Sequence, residues 1–172
     1  MGIRKDDIEM FDKILASKGL LPSGLKMMQF GDMDLRDQVG RASDYFRKRL
    51  GMEVVNIDIN GEHDALPIDL GQPIKWLKYK GNCDIVTNYG TLEHVKDDTI
   101  GYRNADYFLK HGGLFFNIAP VQSIGYRYHR HCHKYTNDWF NNWSVVNKYN
   151  VLVNRIIVRG NDDWIECILE KQ

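Results

Sequence analysis

Several features that would settle the matter early are missing from this chain. No apolar run approaches the ~18 residues that a membrane-crossing helix needs, and the start, MGIRKDDIEMFDK, is charged and has no signal-peptide core. Met1-Gly2 would suit myristoylation, but Asp6 stands where that signal wants Ser or Thr. The expectation is a soluble, cytoplasmic protein without a membrane partner. Charge of one sign is missing too. Lys+Arg and Asp+Glu are 23 each, which argues against the electrostatic footprint of a nucleic-acid binder. Cys83, Cys132 and Cys167 are odd in number and far apart with no CxxC pair, so a disulfide framework is not expected. Repeats, low-complexity tracts and linkers are absent, and residues 1–172 read as a single domain.

Aromatics are plentiful. Four Trp, nine Tyr and seven Phe can pack a firm core, and a chain of this length buries roughly two-thirds of its unfolded surface. Ile8, Phe11, Ile14 and Leu15 fall at helical spacing, which predicts a helix over Arg4–Lys18 stopped by Gly19. Leu25–Phe30 reads as a strand, and Asp34–Leu50 as a helix with Leu35, Val39, Ala42, Tyr45, Phe46 and Leu50 on one face. Strands follow at Glu53–Ile57 and Ala65–Leu70, and a helical turn at Pro73–Tyr79. Asp84–Asn88 is a strand, Asp97–Lys110 a helix and Leu114–Ala119 a strand. Thr136–Lys148 reads as a helix that Thr136 caps, before a hairpin of Val151–Val158 and Trp164–Leu169. Such alternation implies an α/β fold, a Rossmann-like, doubly wound, mostly parallel sheet with one antiparallel strand from the terminal hairpin.

Sheets of this kind hold ligands outside the carboxyl ends of their strands. The stretch Val54–Leu70, VVNIDINGEHDALPIDL, puts Asp58 at one strand end and Asp69 at the next. An acid at Asp58 suits vicinal ribose hydroxyls, since charged acceptors make the stronger hydrogen bonds. It also suits a plain turn beside Asn60-Gly61. Farther on, CDIVTNYGTLEHV follows a strand with Glu93 and His94, and LKHGGLFFNIAP turns through Gly112-Gly113 into another.

In this order the segments resemble the class I S-adenosylmethionine-dependent methyltransferases over nearly the whole chain. The resemblance implies S-adenosylmethionine as cofactor, with Asp58 and Ile59 at its ribose and Asp69 and Leu70 at its adenine. It places Gly31 and Asn88-Tyr89 at the same site. A small molecule would accept the methyl group, with His94 or Glu93 as acid/base candidates; His94 is read first as a structural residue behind its strand. No metal is implied.

The pattern breaks at Gln29-Phe30-Gly31-Asp32-Met33-Asp34-Leu35. The family's loop is an acid, an apolar residue, then Gly-x-Gly-x-Gly. Here Gln29 replaces the acid, and Met33 and Leu35 replace two glycines. A Met there reshapes the pocket or blocks it, so a non-catalytic binding or assembly protein of the same fold is the alternative. The segment Tyr126–Tyr135, YRYHRHCHKY, carries His129, His131, Cys132 and His133 with Arg127, Arg130 and Lys134. Its readings, in order, are a basic lid suited to an anionic acceptor, a structural loop, and a metal site. The acceptor and the oligomeric state are not legible.

Overall fold

A computed structural model describes residues 2–36, 40–121, 132–160 and 162–172. The elements are β1 (Gly2–Ile3), α1 (Lys5–Ser17), β2 (Lys26–Phe30), β3 (Asp34–Leu35), α2 (Ala42–Asp44), β4 (Glu53–Asp58), β5 (Leu66–Pro67), β6 (Cys83–Tyr89), α3 (Asp98–Phe108), β7 (Leu109–Pro120), α4 (Asn137–Asn147), β8 (Tyr149–Arg159) and β9 (Asp162–Lys171). A π-type turn over Tyr45–Arg49 continues α2, and 3₁₀ turns lie at Leu77–Tyr79 and Leu92–His94.

Seven strands form one sheet in the order β5-β4-β2-β6-β7-β9-β8. The first five are mutually parallel, and β9 inserts antiparallel between β7 and β8. Because β8 is antiparallel to β9, it runs the same way as β7. Its last residue, Arg159, therefore comes out at the carboxyl edge of the sheet, beside the ends of the parallel strands.

Residue alternation along the strands explains the two layers. Met28, Phe30, Val86, Phe115, Ala119, Ile165 and Cys167 face one core with α3 and α4. Met27, Ile85, Leu114, Phe116, Ile118 and Ile168 face the other, with Phe11 of α1 and Phe46. The expected aromatic core is there: Tyr102, Tyr135, Trp139, Phe140 and Trp143 pack as one cluster. Thr136 caps α4, its Oγ1 accepting from Trp139 N at 3.1 Å.

Two expectations are corrected. The strand predicted over Ala65–Leu70 shortens to Leu66–Pro67. Asp34–Leu50 is not a helix throughout. Asp34–Leu35 pairs in parallel with Gly2–Ile3 as a small second sheet, and helix begins only at Ala42. Leu35 N donates to Gly40 O and Ala42 N to Met33 O, which holds Gly40–Ala42 against the end of the loop after β2. Among the described residues, no helix is long and apolar enough to cross a membrane.

Candidate functional site

The carboxyl ends of β2, β4 and β6 open into a cavity of about 930 Å³, within the size range of small-molecule sites. Its walls come from both halves of the sheet. One half contributes Asp32, Asp58, Ile59, Ile68, Asp69 and Leu70, and the middle contributes Gly90, Thr91, His94, Val95 and Lys96. Beyond them stand Gly2, Arg4, Met33, Arg36, Arg159, Gly160, Asp162 and Trp164.

Asp58 ends β4 with its carboxylate already oriented. Oδ2 accepts from Asp32 N at 2.8 Å and Oδ1 from Asn60 N at 3.1 Å. Each carboxylate oxygen can accept again, so these bonds fix its direction without exhausting it. The turn reading of Asp58 and its site reading are thus compatible: one side chain shapes the loop and faces the cavity. Next to it, Ile59 is 72% exposed at the rim, an apolar surface that a flat ring would cover. Asp69 Oδ1 accepts from Gly71 N at 2.8 Å, and Leu70 beside it is buried in the wall.

The loop after β2 explains how the chain manages without the missing glycines. Gly31 has φ +86, and a Cβ there would meet Thr91 Oγ1 at 2.1 Å and Met33 Cε at 2.6 Å. Met33 is only 5% exposed and packs into the core on the α1 side, so its side chain forms wall instead of crossing the cavity. Leu35 is buried in the same core. Gln29 is fully buried and not a cavity residue; its Nε2 donates to Gly31 O at 3.0 Å and Asn56 Oδ1 at 3.2 Å. It serves the strands, not a ligand. Asp32 is held instead by His63 Nδ1 at 2.8 Å and Arg41 at 3.3 Å.

Two expected cofactor residues face elsewhere. Asn88 Oδ1 accepts from Thr91 N (2.9 Å) and Leu92 N (3.0 Å), and Nδ2 donates to Asn117 Oδ1 at 2.7 Å. That ties the 3₁₀ turn to β6 and β7 beneath the site. Tyr89 is buried on the α1 side of the sheet, where burial raises its pKa well above the phenol value. Neither side chain lines the cavity; Gly90 and Thr91, one step along, do.

His94 stands on the wall, with Nδ1 3.0 Å from Cys132 Sγ. Glu93 does not line the cavity. It is 1% exposed, no other side chain or backbone group among the described residues hydrogen-bonds its two carboxylate oxygens, and His94 Nε2 lies 3.8 Å from Oε1. Burial pushes its pKa up to about 8, against a smaller opposing backbone hydrogen bond. Glu93 therefore keeps its proton at neutral pH and is a poor base. His133 bonds the 3₁₀ turn from outside, N to Glu93 O at 2.9 Å, and Tyr135 OH donates to Asp98 at 2.7 Å. Arg127, His129, Arg130 and His131 lie outside the described residues, so the basic-lid and metal readings rest mostly there. Among the described residues, no three His, Cys, Asp or Glu side chains are grouped to hold a metal ion.

Sequence reasoning passed over Arg4, Arg36, Arg159 and Trp164, which join the cavity only through long-range contacts. Arg159 pairs with Asp7 of α1, and both are buried. Burial is the main influence on each: it raises Asp7 to about 6 and lowers Arg159, and in each case the partner opposes the change.

Comparisons with known proteins agree on architecture. No family model and no curated protein matches the sequence. Solved structures do. A Burkholderia thailandensis 1,6-didemethyltoxoflavin-N1-methyltransferase, bound to its substrate and S-adenosylhomocysteine, superposes with a TM-score of 0.67 at 12% identity, over 94% of this chain and 76% of that one. A Haemonchus contortus phosphoethanolamine N-methyltransferase gives 0.66 at 11% identity, over 95% of this chain and 52% of that one. A methyltransferase in complex with the Haloferax volcanii Trm112 activator gives 0.63 at 12% identity, over 96% and 93%. With the order β5-β4-β2-β6-β7-β9-β8 and the antiparallel β9, this chain has the fold of the class I S-adenosylmethionine-dependent methyltransferases.

Proposed function

We propose that the protein binds S-adenosylmethionine and transfers its methyl group to a small-molecule acceptor. The observation that carries this reading is the cavity at the carboxyl edge of the sheet, where Asp58 and Asp69 stand ready to accept hydrogen bonds beside the apolar Ile59, Ile68 and Leu70. Those residue types fit an adenosine: a carboxylate for the ribose hydroxyls and apolar side chains for the base. Met33, tucked into the core, leaves the space open. When bound, the cofactor supplies an electrophilic methyl group.

The chain's own part is positioning. Holding acceptor and methyl donor in line supplies most of what such a transfer needs. His94, on the wall at the middle of the cavity, takes the acceptor's proton if it has one to lose. Glu93, protonated and set back from the cavity, does not serve as that base. The test of His94 is the pH profile of kcat/KM in His94→Gln. Loss of the acidic limb supports the proton role, and an unchanged profile restricts His94 to a wall.

A second reading, a binding or assembly protein that no longer transfers methyl groups, is favoured by one observation. Asp32 is already engaged by His63 and Arg41, and Asp34 by Arg41, so the first loop offers a cofactor amine no acid without a partner. Calorimetry with S-adenosylhomocysteine separates the two: saturable binding supports the enzyme, and no heat with no thermal shift supports the binding or assembly protein.

A further inference from the structure

The cavity's acids Asp32, Asp58 and Asp69 come from the β2, β4 and β5 side; Arg159 at the end of β8, Arg4 and Arg36 beside the small β1–β3 sheet, and Asp162 line it as well. The sheet order puts β5 and β8 at opposite edges, so Arg159 lies across the sheet from Asp69. The pair of Asp7 with Arg159 brings the start of α1 and Arg4 to it, and Arg36 N donates to Ile3 O beside Arg4. From this we infer that Arg4, Arg36 and Arg159 form an oxyanion-binding subsite that recognises a carboxylate or phosphate group on the acceptor. The inference rests on the methyl-transfer reading for the word acceptor, but the anion site stands on its own geometry.

Three observations carry it. Arg159 is buried with its Nε unpartnered; its hydrogen bond among the described residues goes from NH2 to Asp7 Oδ1. A guanidinium held this way, on the wall of a cavity, keeps donors in hand for a further oxygen. Second, neither Arg4 nor Arg36 is in an ion pair among the described residues. Arg36 is fixed by the chain itself: Arg36 N donates to Ile3 O at 2.9 Å, and its side chain crosses Gly2 so closely that a Cβ there would meet Cγ at 2.7 Å. Third, Arg4 is near enough to Arg159 to depress its pKa. Like charges gathered in one cavity are costly unless an anion joins them. The acids on that side are Asp7 and Asp6 of α1, Glu166 of β9 and Asp162 on the wall. Asp7 is taken by Arg159 and Glu166 by Arg155 (2.7 Å).

The test is calorimetry with inorganic phosphate and, in parallel, acetate, on protein saturated with S-adenosylhomocysteine and on protein without it. Saturable binding of either anion with Kd below about 10 mM is expected, and which one binds tells phosphate esters from carboxylates. Arg36→Gln and Arg4→Gln should each weaken it about tenfold or more, and Arg36→Lys should recover part of the loss. Arg159→Gln is avoided because it strands Asp7. Failure of both anions to bind, or unchanged binding in the Gln variants, overturns the inference. S-adenosylhomocysteine binding without anion binding leaves methyl transfer standing and removes the subsite; anion binding without S-adenosylhomocysteine binding does the reverse.

Discussion

Asp58 shows how a residue recognisable from its position can hold two roles at once. Its carboxylate orders the loop through Asp32 N and Asn60 N while facing the cavity. Asp58→Asn keeps one acceptor oxygen but loses the charge, so S-adenosylhomocysteine affinity should fall about tenfold by calorimetry. Glu93 gives a prediction of the opposite kind. Its folded pKa, about 8, is above the ordinary 4.5 because burial disfavours the carboxylate. The folded state therefore holds a proton that the unfolded chain gives up between those values. Stability associated with Glu93 is present at low pH and is lost as pH rises toward about 8. Glu93→Gln should flatten that decline and gain on the parent at high pH by a few kcal/mol, roughly, read from urea midpoints at a series of pH values. At this scale Asp58 and Asp69 were found from their place at the ends of expected strands, where the fold opens its cavity; residue type alone did not tell a site from a turn. Tyr89 and Thr91 were not separable: Tyr89 ends β6 facing the core on the α1 side and Thr91 precedes the 3₁₀ turn on the cavity wall, a difference that leaves no mark on local pattern.

Among the elements, the loop after β2 is the most tightly determined. Gly31→Ala would put a Cβ at 2.1 Å from Thr91 Oγ1 with φ at +86; a loss of about 2–4 kcal/mol is expected in denaturant unfolding. Loss of the cap in Thr136→Ala should cost about 1 kcal/mol by the same measurement. Most strands and helices were readable from apolar period and turn residues. Asp34–Leu50 was not, and the reason is physical. Leu35, Ala42 and Phe46 share one core, as a helical face would, but Leu35 reaches it from a strand paired with Ile3. A two-residue strand made by a partner some thirty positions away has no periodicity to detect.

For the whole molecule, the alternation of strands and helices was enough to expect a mostly parallel sheet and a ligand at its carboxyl edge. The place of the hairpin completes the cavity. Inserting β9 antiparallel to β7 turns the end of β8 toward the site and lets Arg159 join Asp7 of α1. Removing the cation in Arg159→Leu should destabilise the fold by about 3–5 kcal/mol, because Asp7 is left buried and unpaired; thermal unfolding checks it. No local signal in the sequence marks that pairing, which closes a loop of almost the entire chain. Methyl transfer needs the whole cavity to take up the cofactor, so titration of the protein with S-adenosylhomocysteine is the decisive measurement. One saturable site, weakened in Asp58→Asn, is the predicted result; no heat and no shift in melting temperature would contradict it.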